Sequence, residues 1–194
     1  MNKKIILSFL TLTTIISGYG CSASTQKGEI ANTTQEKNKG ERVRSLLLTP
    51  DTLQKQFNEA ALKFNSSYSL PQLQLENGQM FDTFSYDFNN GFNIVGSVNK
   101  SNKTIHELSL HLDPNKSNEE FLPRMKTYYT LSKIMITSVT PNISDDELNT
   151  ILTNLNLFED EFTPQDKPGY YRTDKLYYER NGALFYINDA RPSS

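Results

Sequence analysis

Apolar residues recur at three- and four-residue spacing through Leu53, Phe57, Ala60, Ala61 and Phe64, which is one face of a helix. Thr49 is suited to cap that helix, Pro50 to open it and Asp51 to meet its dipole. Gln54, Lys55, Asn58 and Lys63 mark the opposite, wet side. The period then changes to two. "LPQLQLENGQMF" alternates at Leu73 and Leu75, and Phe84, Tyr86 and Phe88 share one side of the next run. Asn77-Gly78 and Asn90-Gly91 are hairpin signals, and "NKSNK" turns "FNIVGSV" into "TIHELSLHL". Residues 72 to 112 are expected to form an antiparallel meander of three or four strands.

Helical spacing returns after Asp113. Ser117 with Glu120, and Ser144 with Glu147, have the spacing of capping boxes. The first predicts a long helix with Phe121, Met125, Tyr128, Met135 and Val139 in a stripe and Pro123 in its first turn. The second predicts a short one with Leu148, Ile151, Leu152 and Leu155. "YYRTDKLYYERNGALFYI" closes the chain, with Asn181-Gly182 marking a hairpin. The fold class expected is therefore α+β: helices packed on an antiparallel meander plus a C-terminal β-hairpin, in the order α, three or four β, α, α, two β.

The first 43 residues follow neither period. Lys3 and Lys4 precede the run "IILSFLTLTTII", Ile5 to Ile16, and then come Ser17, Gly18, Tyr19 and Gly20, the layout of a secretory signal peptide. That run is twelve residues long, against roughly 20 for a helix that crosses a bilayer. Ser22 to Glu41 holds Ile30 as its single large apolar residue, too little to offset the entropy of ordering, and it reads as a flexible spacer. As a random coil, the stretch from Ser22 to Leu48 spans about 30 Å. The expected division is a signal peptide over 1–20, an anchor and tether over 21–43, and one globular domain over 44–194.

Cys21 is the one cysteine in the chain, so no intrachain disulfide is available to an exported fold. "GYGC" resembles the lipobox of bacterial prolipoproteins, in which a small residue precedes a cysteine that is lipidated on sulfur and becomes the mature N-terminus. Gly20 fits that pattern; Gly18 stands where Leu is usual and Tyr19 where Ser, Ala or Thr is usual. The resemblance implies lipidation of Cys21 and attachment to a membrane through the lipid, since two or three acyl chains hold stably where one does not. Ser22 after the cysteine resembles the outer-membrane signal of Gram-negative cells, which would place the domain in the periplasm; in a Gram-positive cell it would lie on the outer face of the cell membrane. An ordinary signal peptide cut after Ala23, which would discard Cys21, is the alternative.

Charge adds little. Lys and Arg number 20 and Asp and Glu 22, with neither sign in a long block, so nucleic acid is not an expected partner. His106 and His111 in "HELSLH" are five apart, where a helical zinc box needs four. Strand alternation would put His106 with Leu108 and Leu110 and turn His111 to the other face. "DPNKSNEE" begins like a calcium loop through Asp113, Asn115, Ser117 and Glu119, but Asn118 replaces its glycine and Arg124 its closing glutamate. No metal and no cofactor are implied. Asp145-Asp146-Glu147 lies in the first turn of an expected helix, where negative charge is stabilising, and Glu159-Asp160-Glu161 precedes a turn-rich connection. Neither a G-x-S-x-G elbow nor a Gly-rich phosphate loop occurs.

Aromatic residues crowd the C-terminal stretch: Tyr170, Tyr171, Tyr177, Tyr178, Phe185 and Tyr186. Neighbouring residues of a strand point to opposite faces, so each Tyr-Tyr pair should bury one ring and leave one near water. Tyr171, Arg172, Lys175, Tyr178 and Arg180 are the expected contact surface, because exposed Tyr beside Arg or Lys is typical of binding hot spots. The functional expectation is a lipid-anchored cell-envelope protein whose domain binds a partner, a protein of the envelope first of all, without catalysis. A small envelope hydrolase using carboxylates and a structural or assembly lipoprotein are the alternatives.

Overall fold

The computed structural model describes residues 44–113, 121–158 and 167–190. Cys21, the tether, the Ser117 capping box and the Glu159-Asp160-Glu161 cluster lie outside the described residues. The described chain is α+β, with three helices and a six-stranded antiparallel sheet.

Helix α1 spans Pro50–Lys63. The Thr49 hydroxyl accepts from the Thr52 N–H at 3.2 Å, and Leu53, Phe57, Ala60 and Ala61 are its buried face. The segment that follows is where the two-residue period misleads. Asn58 holds it against the helix, its amide donating to the Leu70 carbonyl at 3.0 Å and accepting from the Leu70 N–H at 2.8 Å. Leu70 and Leu73 are buried while Leu75 is exposed, a three-residue spacing. Only Glu76 reaches the sheet, as an isolated bridge to Thr83, so the strand expected through Leu73 and Leu75 does not form.

Strands β1 (Phe81–Asp87), β2 (Phe92–Asn99) and β3 (Ile105–Leu112) form the expected meander. Asn89 (φ 63°) and Gly91 (φ 88°) make the first turn, and Lys103 (φ 57°) completes the second. Helices α2 (Phe121–Val139) and α3 (Asp145–Asn154) follow. Pro123 sits in the first turn described for α2, and the Ser144 hydroxyl caps α3 by accepting from the Glu147 N–H. The last part of the chain holds three strands rather than two: β4 (Gly169–Arg172), β5 (Leu176–Asn181) and β6 (Leu184–Asp189). Asn181 closes β5 opposite Leu184, and the two-residue loop is Gly182-Ala183, with Gly182 at φ 58° in its first position.

The strand order is β1-β2-β3-β6-β5-β4, two meanders joined where β3 pairs with β6. The helices cover one face. Phe84, Ile94, Leu108, Leu110, Phe185, Ile187 and Tyr178 point into it, the Phe92 and Tyr128 rings stack at 6.0 Å, and Leu131, Ile134 and Met135 of α2 are fully buried against it.

The entering chain belongs to this sheet. Leu46 donates to the Ile105 carbonyl, Ile105 donates to the Leu48 carbonyl, and the Ser45 N–H donates to Asp189 Oδ2 at 3.1 Å.

Candidate functional site

Strand alternation sends every second residue to the sheet face away from the helices, and the pairing register lines those residues up across strands. One row runs Arg172, Tyr177, Asn188, Glu107, Ser97, Thr83, each directly opposite the next. A second runs Tyr170, Glu179, Tyr186, Ser109, Val95, Ser85 in the same way. With strands about 4.8 Å apart, each row is about 24 Å long. Among the described residues no helix packs on this face, and most of its side chains are exposed or half-buried.

The five expected surface residues are not gathered here. Tyr171 and Tyr178 pair across β4 and β5 on the helix side. Tyr178 is 1 % exposed; its hydroxyl shares a 3.2 Å hydrogen bond with that of Thr140, and burial pushes the phenol up to about 12. Arg180 is 2 % exposed. It donates Nε to the Leu155 carbonyl at 2.6 Å and Nη2 to that of Lys167 at 3.2 Å, and burial lowers its pKa. These bonds close the end of α3 onto the sheet, a structural task. Lys175 is exposed in the β4–β5 turn, where it and Tyr178 border a cleft of about 570 Å³ with Leu46, Leu48, Val139 and Leu176. Arg172 alone lies on the open face, so the outward rings of the Tyr-Tyr pairs are Tyr170 and Tyr177.

The histidines are placed by a bulge. Ser97 pairs with Glu107 but Val98 with Ile105, so His106 is an extra residue in β3. The bulge breaks the alternation that would have put His106 with Leu108 and Leu110. Its ring instead stacks on Phe81 at 4.5 Å and 17°, beside Glu107. Nδ1 lies 3.2 Å from the Arg44 carbonyl; a carbonyl only accepts, so Nδ1 carries the hydrogen and Nε2 of the neutral ring is an acceptor. His111 is on the open face as well, opposite Asn93 and Leu184. Burial lowers its pKa, against the raising effect of the Glu107 charge.

Ser109 Oγ lies 2.9 Å from His111 Nε2, a nucleophile-and-base spacing in form. Ser109 is 4 % exposed, however, and its hydroxyl also reaches the Val95 carbonyl at 3.3 Å. The bond satisfies the buried Ser109 hydroxyl between strands. Asp145, Asp146 and Glu147 are exposed at the start of α3, and Asp145 lies 3.7 Å from Lys63. Among the described residues no group of three His, Cys, Asp or Glu is placed to hold a metal ion, and no helix is long and apolar enough to cross a membrane.

Where the first row meets the entering chain, the face sinks into a groove of about 470 Å³ bordered by Arg44, His106, Glu107, Arg172, Tyr177 and Asn188, with Asp189 and Ala190 at its end. Arg172 Nη2 is held by the Ala190 carbonyl. Partial burial and then the Glu179 charge raise the pKa of the Tyr177 hydroxyl. Of the groove residues only Arg172 was an expected site residue; alternation in β5 and β6 exposes Tyr177 and Asn188, whereas the bulge at His106 left no sequence signal. The chain matches no protein-family model, no curated protein and no solved structure.

Proposed function

We propose that this chain is an exported cell-envelope protein, lipidated at Cys21, whose α+β domain is a binding module that presents the open face of its sheet. One observation carries the binding role: six strands align polar and aromatic side chains in continuous rows, and a groove opens beside Tyr177. Lys3, Lys4, the apolar run and "GYGC" support the anchoring role. The spacer then carries the domain clear of the lipid headgroups so that the face can meet a partner in the envelope.

Radiolabelled palmitate tests the anchor: it should enter the wild-type chain and not Cys21→Ala, and equal labelling of both would end the anchoring claim. Retention of the purified chain on isolated envelopes tests the face. Tyr170→Ala with Tyr177→Ala should weaken retention about tenfold or more, the scale of losing aromatic hot-spot residues, whereas Leu62→Ala on the exposed side of α1 should not.

The hydrolase reading has one specific observation in its favour, the two carboxylates Glu107 and Asp189 bordering the groove. Asp189 is already engaged by the Ser45 N–H. That reading requires turnover of a bound ligand to vanish in Glu107→Gln.

A further inference from the structure

Resting on the reading of the open face as a binding surface, we infer that the groove beside Tyr177 takes a neutral polyhydroxylated ligand, one or two sugar units of an envelope glycan. The first reason is hydrogen-bonding capacity. Glu107 and Asn188 stand directly opposite each other on neighbouring strands, half-buried. Within the described residues neither side chain makes a hydrogen bond or an ion pair. A carboxylate and a carboxamide set side by side can each bridge vicinal hydroxyls, one accepting twice and the other donating and accepting. In its neutral form His106 adds Nε2 as a further acceptor, its Nδ1 being taken by the Arg44 carbonyl. The groove is thus rich in acceptors, which suits a ligand made of O–H donors.

Charge gives the second reason. Arg44, Arg172 and Glu107 border the groove, with the buried Asp189 at its end, so the formal charges of its lining cancel. An anion would meet the Glu107 carboxylate and a cation both guanidinium groups, whereas a neutral ligand meets no net repulsion and still uses charge-assisted hydrogen bonds. Apolar contact gives the third. Tyr177 offers a planar ring on which the C–H face of a sugar can lie, with a polar rim around it. A protein partner would need a large apolar anchor at the centre of the contact. Of the large exposed apolar side chains, Tyr170 alone belongs to the strands of this face.

The size agrees: about 470 Å³ falls within the roughly 300–1,000 Å³ of small-ligand sites. Beyond the groove the row continues through the hydroxyls of Ser97 and Thr83, a polar track for the rest of a chain of sugars.

Calorimetric titration of the purified full-length chain in detergent tests this, with chitohexaose, cellohexaose and maltohexaose as probes. Saturable binding of at least one is expected, unchanged in about 0.5 M salt because no net charge is being screened. Glu107→Gln and Asn188→Ala should each weaken it about tenfold, the loss of one charged or well-placed hydrogen bond. Tyr177→Phe should keep it, and Tyr177→Ala should lose it. Glu107→Gln keeps the side-chain shape, so its result does not depend on the other variants folding. No binding of any probe, or binding indifferent to Glu107 and Asn188, overturns the glycan assignment. Envelope retention separates the two readings: if it still depends on Tyr170 and Tyr177, the binding face stands without the glycan; if it does not, both fall.

Discussion

Gly96 stands directly opposite Phe84, and a methyl group built on it would lie 2.2 Å from Phe84 Cζ. The ring is 2 % exposed and belongs to the hydrophobic core, so it has little room to swing aside. Gly96→Ala should therefore lower stability by about 1–3 kcal/mol, the range for overpacking a filled core. Urea unfolding measures it, and Phe84→Leu in the same chain should restore part of the loss. A wild-type midpoint for Gly96→Ala would mean that β1 does not lie on β2 as described. At this scale the sequence misled most at Arg180. Arginine is almost never fully buried unless paired, so its charge pointed to the surface. Its partners are the backbone carbonyls of Leu155 and Lys167, and no side-chain pattern reveals such acceptors. Once Arg180 and Tyr178 are taken as outward, strand parity carries Tyr171 with them and hides Tyr170 and Tyr177.

Elements with their own punctuation were legible. Thr49 and Ser144 cap the helices they were expected to cap, because N-cap chemistry is local. Strands depend on a partner. Leu73 and Leu75 alternate, yet Asn58 captures the backbone at Leu70 and the segment stays out of the sheet. β4 was missed because its four residues are too few for alternation to declare itself. The bulge at His106 belongs here as well, since it turns both histidines to one face. His111 there gives a pH prediction. Its folded-state pKa lies below the usual histidine value of 6.5, so the unfolded chain binds the proton more readily. The linked stability is complete above that value and is lost as pH falls below it. His111→Asn should therefore lose less stability between about pH 7 and pH 5 than the wild type, as read from urea midpoints. Equal losses would show that the imidazole is not held in its uncharged form.

For the whole molecule, the fold class followed from the order of periods along the chain, while the strand order did not. Nothing local tells β3 to pair with β6, a contact that joins Glu107 to Asn188 across more than half the described domain. That pairing makes one wide sheet of two meanders and brings Arg172, Tyr177, Asn188 and Glu107 into a single row. The groove is a product of topology. So is the division of labour between the faces, with helices packed on one and the aromatic and polar rows on the other.

Photocrosslinking tests that division most directly. p-Benzoylphenylalanine placed at Tyr170, 68 % exposed on the open face, should capture an envelope component in living cells, whereas the same group at Leu62, 76 % exposed on α1, should not. Capture from position 62 with none from position 170 would contradict the claim that this protein works through the open face of its sheet.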